Sequence, residues 1–358
     1  MRVKLKDITK FSKGTQINGK NLIDDGAYSY LNGGINPSGK WNEFNVAENT
    51  VTISEGGNSS GYVNYMSKAF WCGAHCYYLY DGPKNSKYLY YALKSQQERL
   101  FRIRSGACMP NIKKSDLGNF IIEYEEDETR QEEVVKVLEK CELLIEDYNK
   151  KLALLDEAVR ARFVEMFGDE NNSKGWEIVN IEDVVNVQVG VVIKPSQYYT
   201  NQYNGIKAFR SLNIGNGYIK DNDWVYFSKE GNKKNKKSIL STNDVLVVRS
   251  GAPGTACVVT SEYAGSNAID VIIAHPDFQK VDSHYLCTYT NMPHGKSQII
   301  EGTGGAAQQH FNVGKYNKLK LMLPPLEYQK QYVKFLEEID KSRLLSNHPL
   351  FLLKSMIF

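Results

Sequence analysis

Gln131-Glu132-Glu133-Val134-Val135-Lys136-Val137-Leu138-Glu139 returns 198 residues later as Gln329-Lys330-Gln331-Tyr332-Val333-Lys334-Phe335-Leu336-Glu337. Both copies set apolar residues three and four apart, the spacing of one helix face. Around the first copy, from about Asp127 to Phe167, there is no Gly or Pro, and the apolar positions continue through Cys141, Leu144, Ile145, Tyr148, Leu152, Leu155, Val159, Phe163 and Met166. That predicts one unbroken helix, and forty residues at about 1.5 Å each make a rod of roughly 60 Å. Gly168 and the polar run Asp169 to Ser173 end it.

The repeat extends on both sides of this helix. Val3-Lys4-Leu5-Lys6-Asp7-Ile8 resembles Val179-Asn180-Ile181-Glu182-Asp183-Val184, and Asn49 to Gly56 resembles Asn243 to Gly251. Gly106 to Ile112 echoes Ala306 to Val313. Four matches in one order indicate a tandem duplication of a β-rich block followed by a helix. Short β-branched and aromatic runs mark the blocks: Val51-Thr52-Ile53, Tyr77-Tyr78-Leu79, Val245 to Val248, Cys257 to Val259 and Val271 to Ile273. The segments are therefore 1–122 (β-rich), 123–168 (helical), 174–323 (β-rich) and 324–358 (helical, shortened by Pro349).

Composition excludes several classes. With 42% hydrophobic and 24% charged residues the chain of 358 can bury real cores and is not disordered as a whole. No apolar run reaches membrane-spanning length, the N-terminus lacks a signal-peptide core, and the six cysteines are too sparse for a disulfide framework. A reducing cytoplasm is the expected location. The net charge of +3 hides a split: +7 over 1–122, −9 over 123–173, +4 over 174–323 and +1 over 324–358. Two basic blocks flanking an acidic one call for an anionic partner on the β-rich blocks.

Catalytic motifs are missing where they would be needed. Asn36-Pro37-Ser38 is not the loop of an amino-methyltransferase, and Ser250 to Gly254 lacks the Gly-Lys-Ser/Thr ending of a phosphate loop. His275-Pro276-Asp277 has no matching Glu-x-Lys and reads as a surface turn. Trp71 to Cys76 offers Cys72, His75 and Cys76 without a second nearby pair, so strand burial is favoured over zinc. A hydrolase using Cys76 or His310 is the enzymatic alternative.

Leu323-Pro324-Pro325-Leu326-Glu327-Tyr328-Gln329, running into Val333 to Asp340, resembles the helix entry of type I restriction-modification specificity (S) subunits. Val3 to Ile8, Gly302 to Gly305 and the order of the repeats fit the same family, over essentially the whole chain. In the first copy Glu123-Tyr124 stands in place of the Pro-Pro pair. The resemblance implies an α+β fold: two β-rich target-recognition domains in tandem repeat, separated by long helices that pack as an antiparallel coiled coil. It implies a non-catalytic, DNA-reading chain that binds double-stranded DNA, two methyltransferase subunits and restriction/translocase subunits. A related type IIB-like system is the nearest variant. The chain itself would hold no cofactor; S-adenosylmethionine, ATP and Mg would belong to the partner subunits.

Under that resemblance, candidate DNA contacts are polar and basic residues on the turns of each block. In the first they are Lys13, Thr15, Asn32, Lys40, Arg99, Arg102 and Arg104; in the second, Lys194, Arg210, Ser211, Asn213, Lys233, Lys234, Lys236, Lys237 and Arg249. The dense run from Lys233 to Lys237 suits phosphates, and Arg249 suits the edge of a guanine. His310, with Gln308 and Gln309, is a further candidate base contact. The stripe Val134, Leu138, Cys141, Ile145, Leu152, Val159 and Phe163 is the expected docking surface for the other subunits.

Overall fold

The computed structural model describes residues 1–106, 108–302 and 311–357. They form two compact units, one of residues 1–151 with 345–358 and one of residues 152–344. Both long helices thus contribute residues to each unit.

In the first unit the chain order is β1 (Arg2–Lys4), α1 (Leu5–Ile8), β2 (Lys10–Lys13), β3 (Tyr28–Leu31), β4 (Gly39–Trp41), β5 (Thr50–Ser54), β6 (Val63–Met66), β7 (Phe70–Cys72) and β8 (Cys76–Tyr80). Then come α2 (Ser86–Lys94), α3 (Gln97–Arg102), α4 (Lys114–Gly118), β9 (Ile121–Glu123) and α5 (Glu128–Phe167). β2-β8-β5-β6 make an antiparallel sheet, and β4-β3-β7 a smaller one in which β3 and β7 run parallel. β1 pairs with β9, closing the start of the block against its end. Val51, Ile53, Tyr77 and Leu79 alternate inward against Leu89, Leu93 and Leu100 of the helices, which builds one core.

The second unit repeats this plan. It contains β10 (Ile178–Asn180), β11 (Val185–Val189), β12 (Tyr199–Thr200), β13 (Ile206–Phe209), β14 (Val225–Phe227), α6 (Lys229–Lys234), β15 (Val245–Val248), β16 (Ala256–Val258), β17 (Asn267–Ala268) and β18 (Val271–Pro276). α7 (Ser283–Asn291), α8 (Pro293–Gly302), α9 (Val313–Asn317), β19 (Lys320–Met322) and α10 (Leu326–Ile357) complete it. The sheet β11-β18-β15-β16 matches β2-β8-β5-β6, the β13–β17 pair is again parallel, and β10 pairs with β19 as β1 does with β9. His275 and Pro276 are the last residues of β18, so the expected surface turn is strand instead.

α5 forms as the periodicity requires, over Glu128–Phe167. α10 corrects an expectation, because it runs through Pro349 to Ile357 rather than breaking there. Proline removes one helical N–H and crowds one carbonyl, a loss that packing on both sides can outweigh. The two helices run antiparallel. In the second unit Tyr332 packs edge-to-face with Phe163 and Phe167 and donates to the Val159 carbonyl, while Arg343 pairs with Asp156 at 2.6 Å. In the first unit Leu353 packs with Leu138, Cys141 and Ile145.

The repeated glutamine that opens each helix is structural. Gln329 is fully buried, donates to the carbonyls of Lys280 and Pro324, and accepts from the Asp282 N–H. Gln131 donates to the Tyr124 hydroxyl and the Glu125 carbonyl. Tyr124 thereby gives the first copy a partner where the second copy uses a proline carbonyl.

Candidate nucleic-acid interface

The matching registers bring equivalent turns to one end of each main sheet. In the first unit β2 leaves the sheet at Lys13, β5 at Ser54, and β8 enters at Cys76. There the Thr15 N–H bonds the Cys72 carbonyl, the Glu55 N–H the His75 carbonyl, and the Ile112 N–H the Glu55 carbonyl. Lys13 pairs with Glu55, which also meets His75 at 3.5 Å. Asn32 accepts from the His75 N–H at 3.3 Å, and Arg104 reaches the Asn58 carbonyl at 3.4 Å. Lys13 and Asn32 are thus joined through Glu55 and His75, Thr15 is tied by its backbone to β7, and Arg104 bonds separately to the Asn58 loop.

The second unit laces the same end with different residues. The Val191 N–H bonds the Ala268 carbonyl, the Ile269 N–H the Phe209 carbonyl, and the Phe311 N–H the Arg249 carbonyl. Arg249 stands where Glu55 does, and it pairs at 2.8 Å with Asp270, the counterpart of His75. The central pair is thus kept with the acidic and basic sides exchanged. Arg210 follows β13 as Asn32 follows β3. Its Nη2 holds the Asp223 carbonyl, and its buried Nε has no hydrogen-bond partner among the described residues. Ser211, next to it, is half-buried, and Lys194 is exposed.

Two candidates in this unit are corrected. Asn213 is 0% exposed, and its amide is used internally, donating to the Asn222 carbonyl at 2.8 Å and accepting from the Arg210 N–H at 3.0 Å. It shapes the loop and cannot touch a base. Arg249 is not a free reader of guanine: its side chain is only 13% exposed and is held by Asp270 and the Phe311 carbonyl. Those bonds engage Nε and one N–H of Nη1 and tie the guanidinium to the sheet end.

Other candidates lie elsewhere. Arg99 and Arg102 are on α3 instead of a turn, with Arg99 against the ring of Phe120. Lys40 is exposed on β4. Lys233 and Lys234 end α6, while Lys236 and Lys237 start the short helix that follows. All four lysines are exposed, without an ion-pair partner among the described residues, and Lys234 lies over Tyr198, just beyond Lys194. His310, Gln308, Gln309 and the stretch Thr303 to Gly305 lie outside the described residues.

The docking stripe is also corrected. Phe163 is fully buried with Val159 in the core of the second unit, and Cys141 is buried with Leu138 and Ile145 in the first. Leu152 is half-buried, and only Val134 of the seven is classed as exposed. Two of the seven are thus buried, four half-buried and one exposed. Other exposed apolar residues of these helices lie between the stripe's positions, among them Val137, Leu143, Leu144 and Leu154 on α5 and Leu344, Leu345 and Phe351 on α10.

Sequence reading misses a polar chain that crosses the second sheet from β11 through β18 to the start of β15. His275 Nδ1 meets the buried Asp244 carboxylate at 2.6 Å, and its Nε2 meets Gln188 at 2.6 Å. The counterparts in the first unit, Ser12 and Tyr80, also bond, at 3.3 Å. Only the strand register reveals the pairing. The hydrolase alternative loses its thiol: Cys76 is 1% exposed, and the Cys72 thiol is pushed up by its bond to Cys76 and by burial. Among the described residues no group of three His, Cys, Asp or Glu converges as metal ligands, and no helix is long and apolar enough to cross a membrane.

A chain with two copies of a β-rich unit, each followed by a long helix and each gathering polar turns at one sheet end, defines a class of tandem reader. The chain belongs to the type I restriction modification DNA specificity domain family, whose model matches residues 1–156 and 173–349. A Mycoplasma pneumoniae protein provisionally named a type I specificity subunit is 37% identical over 149 residues, 41% of this chain and 40% of that protein. A Methanocaldococcus jannaschii type I restriction enzyme specificity subunit is 23% identical over 271 residues, 71% of this chain and 63% of that one. The matched stretch thus spans about two-fifths of the first relative and under two-thirds of the second. In fold the chain resembles the S subunit of a type I restriction-modification system from M. genitalium, with TM-score 0.61, 19% identity, and 99% and 93% of the two chains covered.

Proposed function

We propose that this chain is the DNA sequence-recognition subunit of a type I restriction-modification complex and reads a bipartite duplex target. The observation that carries it is the repeated end of the main sheet: one hydrogen-bonded frame, built twice, presents different side chains in each copy. A constant frame with variable tips is what reading two unlike half-sites requires. Exposed lysines from Lys233 to Lys237 supply phosphate contacts in the second unit. Methyltransferase and restriction subunits dock on it and bring S-adenosylmethionine, ATP and Mg. The chain itself positions them and performs no chemistry.

The test is a domain exchange in the assembled complex. With residues 1–122 replaced by the corresponding block of another specificity subunit, one half of the methylated sequence should change and the other half persist. An unchanged methylated sequence overturns the reading.

A further inference from the structure

The turn after β11 presents two β-branched apolar side chains to solvent: Val192 is 50% exposed and Ile193 79%. It is a rigid tip. The Val191 N–H bonds the Ala268 carbonyl at 2.7 Å, the Asp270 N–H bonds the Val191 carbonyl at 3.2 Å, and the Gln197 N–H bonds the Lys194 carbonyl at 3.2 Å. Lys194 sits in the left-handed region at φ 42°, immediately before Pro195, two choices that local sterics disfavour for a lysine. Strain of this kind persists where surrounding structure imposes it, and it collects at functional sites.

The same turn in the first unit is built differently. Thr15 and Gln16 are exposed there and polar, while Ile17, the counterpart of Ile193, folds inward to 8% exposure with its N–H on the Tyr30 hydroxyl. An exposed apolar tip flanked by Lys194, and bonded to the β17–β18 turn that carries Asp270, is therefore particular to the second unit. Aliphatic groups read one feature of the major groove, the 5-methyl of thymine. We infer that the Val192–Ile193 tip selects an A·T pair in the second half-site by contact with the thymine methyl. The inference rests on the DNA-reading function proposed above.

The experiment enriches bound sequences from a random duplex pool with the full chain in its methyltransferase complex, unaltered and as Ile193→Ala and Ile193→Val. The unaltered complex should show a thymine in one half-site that Ile193→Ala relaxes and Ile193→Val largely keeps, with every other position unchanged. Uracil for that thymine should weaken the unaltered complex about fourfold, as expected for one methyl group, and leave Ile193→Ala indifferent. Identical sequences from all three complexes overturn the inference while leaving the DNA reading intact. Absence of any enriched sequence from the unaltered complex overturns both.

Discussion

Lys94 is a cation held almost wholly out of water in the first unit, with its Nζ on the Val63 carbonyl at 3.1 Å and 3.7 Å from the centre of the Tyr62 ring. Burial lowers its pKa from 10.5 to about 8. The unfolded chain keeps the ordinary value, so between pH 8 and 10.5 it binds the proton that the folded chain has lost. Stability from this group must therefore rise with pH across that window, and the full penalty applies below about pH 8. Relative to Lys94→Met, the unaltered chain should gain about 3 kcal/mol of unfolding free energy between pH 8 and 10.5, read by denaturant titration. A pH-independent difference would contradict it. At the same scale, Gln329→Leu removes the side-chain partner of three backbone groups, one buried and two half-buried, and should cost about 1–3 kcal/mol, seen as an earlier unfolding midpoint. The residue scale is also where the sequence is least legible. Arg249 reads as free at the end of a strand, yet its partner Asp270 is supplied by the turn between β17 and β18, through a β15–β18 pairing that no local pattern announces.

The long helix is legible because its signal is local: forty residues of three-and-four spacing without Gly or Pro leave no other fold for the segment. Strands are legible for the same reason, but their register is not, because pairing joins residues far apart in sequence. Lys13 meets Tyr77, and Val189 meets Ile272, and only these pairings show that the two sheet ends correspond. α10 departs from the expected break because the packing of neighbouring turns outweighs the proline rule. Leu350 is buried and Leu353 packs on α5, so the turns beyond Pro349 are held from outside. Pro349→Ala restores the missing helical donor to the Leu345 carbonyl. It should stabilise the first unit by about 1–3 kcal/mol, measured as a rise in its unfolding free energy. No gain would mean that the helix is already interrupted there in solution.

For the molecule as a whole, the uneven charge becomes a statement about salt. The net +3 averages two basic β-rich blocks with an acidic helix, so the positive charge sits on the units that carry the candidate DNA contacts. In the second unit the exposed lysines 233, 234, 236 and 237 have no internal carboxylate partners among the described residues, which leaves them free for phosphates. Each phosphate neutralised releases condensed counterions, and binding to duplex then weakens with salt by a log–log slope of about 0.9 per contact. Replacing all four by Gln should lower that slope by about three to four and leave the selected sequence unaltered, because phosphate contacts position the protein without reading bases. Binding isotherms of the assembled complex over a range of salt concentrations supply the slope, and enrichment from a random duplex pool supplies the sequence. A changed sequence with an unchanged slope would place these lysines against bases, and would move phosphate binding to the exposed cations Lys40, Arg99 and Arg102 of the first unit.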